Sequence, residues 1–430
     1  MYKIETHIND RLNEMTYYTK LSNGLNVYIC KKEGFKKKIG MFGTKYGSLI
    51  NDFVDINSSK RIKVPDGIAH FLEHKLFEKE GENALDMFSK IGVSSNAYTT
   101  FDHTVFYFET NNKFEESIKL LVKLIKEPYF TEENVKKEQG IIAQEILMGN
   151  DDPDYMVYFN TLKAMYQKNN VRIDIAGTVE SISNITKDLL YTCYNTFYNL
   201  NNMFFVVVGD VDVEKTIKLI EDSINIYSKN EKKINEEIKT FSEDEPMQVA
   251  KREIIEKMDV YMPKLCIGYK LNVVQKEEII KRAILADIVS DMYFSKLSKF
   301  YEEEYSKGII TDEVILSYEG TEYFSHVVIM GESTKLLELK SDILKYIEKI
   351  KKYPIDTYLF EQVKSNKIGS TLIENDRLNS CYRRIIDSIL ADTDVYADIE
   401  ILQNLNVQDV KNFLELLDNE NNVVSIIDKK

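Results

Sequence analysis

The sequence predicts an α+β fold built from two homologous halves, each a mainly antiparallel sheet flanked by helices. Three observations lead there. The 430 residues exceed what one hydrophobic core ordinarily supports, since single cores seldom grow past about 250 to 300 residues. Their 43% hydrophobic content is that of a globular chain rather than a disordered one. Finally, strand-like and helix-like segments follow one another in a similar order on either side of a charged stretch poor in apolar residues.

Taken in order, the run that starts at Leu21, Leu-Ser-Asn-Gly-Leu-Asn-Val-Tyr-Ile-Cys, reads as a turn entering a strand, and 38–46 supplies a second strand. Pro65 and Asp66 then introduce a helix, with Asp66 as its expected cap and Ile68, Phe71, Leu72, Leu76 and Phe77 as its apolar set. The β-branched and aromatic residues of 94–109 predict two strands joined near Phe101-Asp102. Helical periodicity returns over 114–125. A longer helix begins after Thr131, with Val135, Ile142 and Ile146 on one side, and ends before Asn150-Asp151-Asp152-Pro153. Another helix runs through Tyr166, a buried strand spans 203–209, and an amphipathic helix spans 213–227.

Apolar residues thin out and charges crowd between 228 and 258, which places the domain boundary there. The expected division is 1–232, a connector at 233–258, and 259–430. In the second half, strands are expected at 265–269, 313–318, 325–330 and 423–427, and helices at 277–300, 334–351 and 356–371.

Composition narrows the function. A formal charge of -14 offers no electrostatic footprint for nucleic acid or anionic lipid. The four cysteines stand far apart with no C-x-x-C pair, which predicts free thiols in a reducing compartment. The first residues lack the apolar core of a signal peptide, and no later run approaches the roughly 18 apolar residues of a membrane span, so a cytoplasmic protein is expected.

Chemistry concentrates in His70-Phe-Leu-Glu73-His74, which holds two of only five histidines. On a helix, positions i, i+3 and i+4 share one face, so two imidazoles and a carboxylate converge there. Neutral imidazoles suit zinc, and a carboxylate beside such a metal can take the proton from a water, as hydrolysis of an amide requires. Catalytic zinc ordinarily has three protein ligands, and no third ligand is local. Glu138 and Glu145, seven residues apart on the helix after Thr131, share a face to within about 20°. Spacing alone leaves open which of them binds. His7, His103 and His326 read as structural or surface residues, and the 27 Tyr and 21 Phe read mainly as sheet packing.

These residues resemble the pitrilysin/insulinase-like zinc peptidases, whose inverted motif is His-x-x-Glu-His followed some seventy residues later by two glutamates seven apart. The likeness extends through Gly67-Ile-Ala-His-Phe-Leu-Glu-His-Lys-Leu-Phe, Asn96-Ala-Tyr-Thr, Glu138-Gln-Gly-Ile-Ile-Ala-Gln-Glu145 and Ala176-Gly-Thr-Val-Glu-Ser-Ile. More narrowly the chain is similar to the short bacterial YmfH-like members and to subunits of mitochondrial processing peptidase. The resemblance implies two halves facing each other like a clam shell. It implies one Zn2+ per chain bound by His70, His74 and Glu145, with Glu73 as general base and Glu138 as a supporting carboxylate. Asn96 and Ala97 match the edge strand against which an extended peptide lies.

The second half departs from that pattern. Self-sufficient relatives carry an Arg and a Tyr there that steady the scissile carbonyl. The corresponding stretch here, Phe300-Tyr-Glu-Glu-Glu-Tyr-Ser-Lys-Gly-Ile-Ile-Thr-Asp, has no Arg. Loss of such a donor costs about 10² to 10³ in rate. The expectation is therefore a zinc-dependent endopeptidase of short or unfolded peptides, the metal-bearing subunit of a heterodimer whose metal-free homologous partner supplies the Arg/Tyr set, or else a homodimer. Tyr382 or Arg383-Arg384 are alternative local sources, against the plainer reading of a helix surface or local ion pair. Rival functions are a dedicated leader-peptide maturation peptidase and a noncatalytic peptide-binding or scaffold subunit.

Overall fold

The computed structural model describes residues 2–227 and 237–430. The chain gathers into two compact units, each drawing on both halves of the sequence: Met1–Ile146, Asp174–Ser242 and Glu374–Leu390 in the first, and Leu147–Ile173, Glu243–Ile373 and Ala391–Lys430 in the second.

The first unit is built on a seven-stranded sheet, in spatial order Glu5–Asn9, Glu14–Lys20, Asn26–Lys31, Met203–Gly209, Lys38–Thr44, Thr104–Thr110 and Ser94–Thr99. Every pairing is antiparallel except that of Met203–Gly209 with Asn26–Lys31. All seven residues of Met203–Gly209 are buried, which is why this strand reads as an unbroken apolar run. On one face Val27, Ile29, Phe42, Phe106, Phe108, Phe205 and Val207 join a core with the apolar sides of several helices. The opposite face, to which Cys30 alternates, is met by residues of the helix Leu378–Ala391 and the segment before it.

The second unit has a five-stranded sheet in the order Glu253–Met258, Asn422–Lys429, Lys264–Lys270, Ser325–Glu332 and Ile315–Gly320. Its first pair is parallel and the others antiparallel. This repeats, strand for strand and direction for direction, the five strands from Asn26–Lys31 to Ser94–Thr99 in the first sheet. The helix Pro153–Met165 crosses this sheet. Gly268 admits it, because a Cβ there would lie 2.4 Å from Met165 and 2.6 Å from Thr161.

Most expected elements form within a residue or two of their predicted limits. The helix expected at 277–300 breaks at Phe294 into Glu277–Tyr293 and Lys299–Ser306. Ser298 caps the second piece by accepting from the Tyr301 N–H at 3.1 Å. Glu253–Met258, inside the expected connector, is a strand; residues 228–236 lie outside the described residues. Among the described residues no helix is long and apolar enough to cross a membrane.

Candidate metal centre and substrate strand

The helix Ile68–Phe77 buries Ile68, Phe71, Leu72 and Leu76 in the first unit's core, leaving His70, Glu73 and His74 on the remaining face. Its start is not capped by Asp66. The Asp66 carboxylate instead accepts from Asn51 Nδ2 at 2.7 Å, and Gly67 occupies the cap position at φ 87° with no side-chain bond. A Cβ on Gly67 would lie 2.3 Å from the carbonyl oxygen of Ala176, so the approach of that loop selects glycine. The helix Glu132–Asn150 begins with a reciprocal cap: the Thr131 hydroxyl accepts from the Asn134 N–H and the Asn134 side chain accepts from the Thr131 N–H. Val135, Ile142 and Ile146 bury one side of it. That packing turns Glu138 inward and leaves the Glu145 side chain 50% exposed.

Ligand atoms of His70, His74 and Glu145 all lie within 4.8 Å of one another. The two carboxylate oxygens of Glu145 lie 3.8 Å from His70 Nε2 and 3.6 Å from His74 Nε2. Glu138 takes the other side of the second imidazole, its Oε1 being 3.1 Å from His74 Nδ1. Geometry thus separates two glutamates that spacing could not: one faces both Nε2 atoms, the other holds the back of His74. The donor set of two imidazoles and one carboxylate fits zinc, with ring centroids 4.6 Å apart and a carboxylate orienting one imidazole from behind. His70 Nδ1 is buried with no hydrogen-bond partner among the described residues.

Electrostatics divide the two imidazoles. Burial, with the neighbouring His74, pushes His70 down to about 3, so it is neutral at ordinary pH, the form able to bind a metal. Burial opposes the charged form of His74 as well, but the carboxylates of Glu138, Glu73 and Glu145 outweigh it and raise that group. Burial would raise Glu138, yet His74 and Lys75 hold it below the usual carboxylate range. Glu73 is raised by burial, although a hydrogen bond from Thr99 opposes the rise.

Two participants escaped the sequence reading. Lys75, fully buried, pairs with Glu78 and lies 3.5 Å from Glu138 Oε2, so the carboxylate behind His74 is itself held by an ammonium. Thr99 Oγ1 donates to Glu73 Oε2 at 2.5 Å. The hint was a Lys inside an otherwise apolar helical stripe, where an unpaired charge is not tolerated. Thr99 had no signal, because its contact spans a strand and a helix.

Asn96 and Ala97 lie on Ser94–Thr99, which pairs on one side only with Thr104–Thr110 among the described strands. The Ala97 N–H points away from that neighbour, and Asn96 Oδ1 accepts from it at 2.9 Å. Alternation puts Thr99 on the face of Glu73 and Tyr98 on the opposite face, where burial raises the Tyr98 hydroxyl and the nearby Asp387 and Arg383 act on it in opposite directions. Arg384 is engaged elsewhere: its Nη1 donates to Glu14 Oε1 at 3.3 Å and to Asn375 Oδ1 at 3.2 Å, the local ion pair that the plainer reading expects. His103 holds the turn between the two strands, its Nδ1 lying 2.6 Å from Asp102 and 2.8 Å from Thr100 Oγ1.

Comparison with known proteins points to a peptidase family. The insulinase (peptidase family M16) model matches residues 54–179, and the model of the peptidase M16 inactive domain matches 184–367. The chain is 37% identical over 408 residues, 94% of its length and 94% of the relative's, to an uncharacterized zinc protease, YmfH, of Bacillus subtilis. It is 24% identical over 311 residues, 70% of this chain and 69% of the relative, to the zinc protease PqqE of Helicobacter pylori. Among solved structures, an M16-like peptidase from Alicyclobacillus acidocaldarius superposes with a TM-score of 0.91 at 31% identity, covering 100% of this chain and 99% of that one.

Proposed function

Because the chain belongs to the insulinase-type M16 peptidase family, we propose that it is a zinc-dependent endopeptidase whose ion is held by His70, His74 and Glu145. The observation that carries this reading is the convergence of those three side chains from two separate helices, with Glu73 on the same helical face and no structural need for so much partly buried polarity. Bound zinc would supply Lewis acidity, acidifying a water and polarising the scissile carbonyl.

The protein's own groups do the rest. Glu73 accepts the proton of the attacking water and later delivers it to the departing amine nitrogen. Its environment suits both duties, because burial favours the protonated form while the Thr99 hydroxyl steadies the carboxylate. Glu138 accepts from His74 Nδ1–H, which leaves His74 Nε2 as the bare ligand atom. An extended peptide adds to Ser94–Thr99, displacing Asn96 Oδ1 from the outward N–H of Ala97. Main-chain hydrogen bonds tolerate many sequences, so the favoured substrates are short or unfolded peptides.

The stretch around Phe300 lacks the Arg that steadies the carbonyl, and Arg384 is committed to Glu14. The proposal therefore includes a homologous, metal-free partner that completes the site. Two assays test it. Glu73→Gln should retain zinc and lose peptide cleavage almost entirely; native turnover by that variant would remove Glu73 from the mechanism. Full turnover by the pure wild-type chain would refute dependence on a partner.

A further inference from the structure

A second cluster of reactive side chains lies in the first unit and takes no part in the proposed hydrolysis. Cys30, in the strand Asn26–Lys31, and Cys381, in the helix Leu378–Ala391, are 0% and 1% exposed. Their sulfurs and a carboxylate oxygen of Glu14 lie within 4.8 Å of one another. Cys381 Sγ donates to Glu14 Oε2 at 3.4 Å and also meets the carbonyl oxygens of Arg377 at 3.5 Å and Asn375 at 3.6 Å. Glu14 is already engaged by two cations, Arg384 on Oε1 and Lys32 on Oε2. Lys32 also donates to the Asn375 carbonyl at 2.9 Å.

This arrangement disfavours a metal ion and favours sulfur chemistry. Both oxygens of the one carboxylate are occupied, and two positive groups face a single negative one, which repels a third cation, while the hydrogen bond with Cys381 and burial push the Cys30 thiol well up, so Cys30 waits protonated as the resolving partner. We propose that Cys30 and Cys381 form a dithiol site that hydrogen peroxide oxidises to an intramolecular disulfide, pinning the helix Leu378–Ala391 to the sheet. Cys381 attacks one peroxide oxygen, breaking the O–O bond; its thiol proton passes by way of Glu14 to the departing oxygen, leaving water and a sulfenic acid. Cys30 then attacks the Cys381 sulfur, the S–O bond breaks, and the Cys30 proton leaves with that oxygen as a second water. Two thiols are oxidised by one peroxide, which is reduced to two waters. Burial sets the oxidant: a peroxide is small enough to enter through local opening, whereas a protein disulfide is not.

The test uses the reduced full-length chain exposed to hydrogen peroxide, quenched with catalase and alkylated in denaturant. The expected result is loss of two of the four thiols, an intact mass lower by about 2 Da, a linked Cys30–Cys381 peptide, and a reductant-reversible rise in Tm. Cys30→Ala and Cys381→Ala should each abolish the link, whereas the double variant Cys193→Ala/Cys266→Ala should retain it, which keeps the assay decisive if one of the single variants fails to fold. Retention of all four thiols, or sulfinic acid at Cys381 without a link, overturns the proposal. So does stoichiometric zinc that protects this pair in a chain carrying His70→Ala and His74→Ala. Thiol count and mass do not depend on proteolysis, so a negative result leaves the peptidase reading standing, and an inactive chain can still form the link.

Discussion

Replacing Glu138 with Gln keeps an oxygen 3.1 Å from His74 Nδ1 but removes its charge, whereas replacing Glu145 with Gln removes the one carboxylate that faces both Nε2 atoms. A hydrogen bond to a charged group contributes about 1.5–3 kcal/mol and a neutral one about 0.5–1.5 kcal/mol. The first change therefore weakens the hold on His74 by about 1–1.5 kcal/mol, close to a tenfold effect. Lower imidazole basicity adds to this, giving a loss of zinc affinity of roughly 10- to 100-fold. The second change removes the third proposed ligand, and its loss should exceed that range. Stability of the metal-free chain should run the other way. Glu138 is largely buried and lies beside fully buried Lys75, so Glu138→Gln lowers the apo Tm, while the half-exposed Glu145 can be changed with little effect. Competition with a fluorescent zinc chelator reads the first quantity and thermal melts of the stripped protein read the second. Equal zinc losses in the two variants, or a greater loss from Glu138→Gln, would refute the assignment of ligand and supporting carboxylate.

Thr99→Val removes the hydroxyl that opposes the rise of Glu73, so kcat/KM should fall about tenfold or more and its acid limb should move to higher pH, with zinc affinity unchanged; an unmoved limb contradicts the role given to Thr99. Gly67→Ala places a Cβ 2.3 Å from a backbone oxygen at φ +87°, where the left-handed conformation alone costs about 1–2 kcal/mol, and an unaltered denaturant midpoint would contradict the packing described. Burial pushes His326 down to about 3, with its Nδ1 3.0 Å from the Tyr166 hydroxyl. Between that value and the unfolded value of about 6.5 the unfolded chain holds a proton that the folded chain does not. The stability at stake is therefore complete above about pH 6.5 and declines as pH falls toward 3, by at most about 1.4 kcal/mol per pH unit. His326→Leu should flatten the pH dependence of Tm over that window, and parallel curves for variant and wild type would count against it.

Periodicity and motif spacing carried much of the molecule. Met203–Gly209 and Val213–Tyr227 form over the very residues whose patterns predict them, and the two strands of 94–109 turn at Phe101-Asp102. These are local signals: a buried strand is an apolar run, and a helix lying on a core repeats its apolar residues every three to four positions. The cap of the histidine helix was misread for the converse reason. Asp66 has the right chemistry for a cap, but Asn51 and the loop at Ala176, both distant in sequence, compete for that position and leave it to Gly67.

By itself, the sequence determined the helix that carries His70, Glu73 and His74, the two glutamates seven apart, and the α+β character of both halves. Only the tertiary structure decided that Glu145 faces the imidazole Nε2 atoms while Glu138 stands behind His74, that Lys75 and Thr99 support the two carboxylates, and that Cys381 comes to rest beside Cys30. The physical reason is range. Helical and strand periodicity is a property of a few consecutive residues, whereas a ligand set, a shared proton or a pair of sulfurs depends on which faces of distant elements are driven together when their apolar sides are buried.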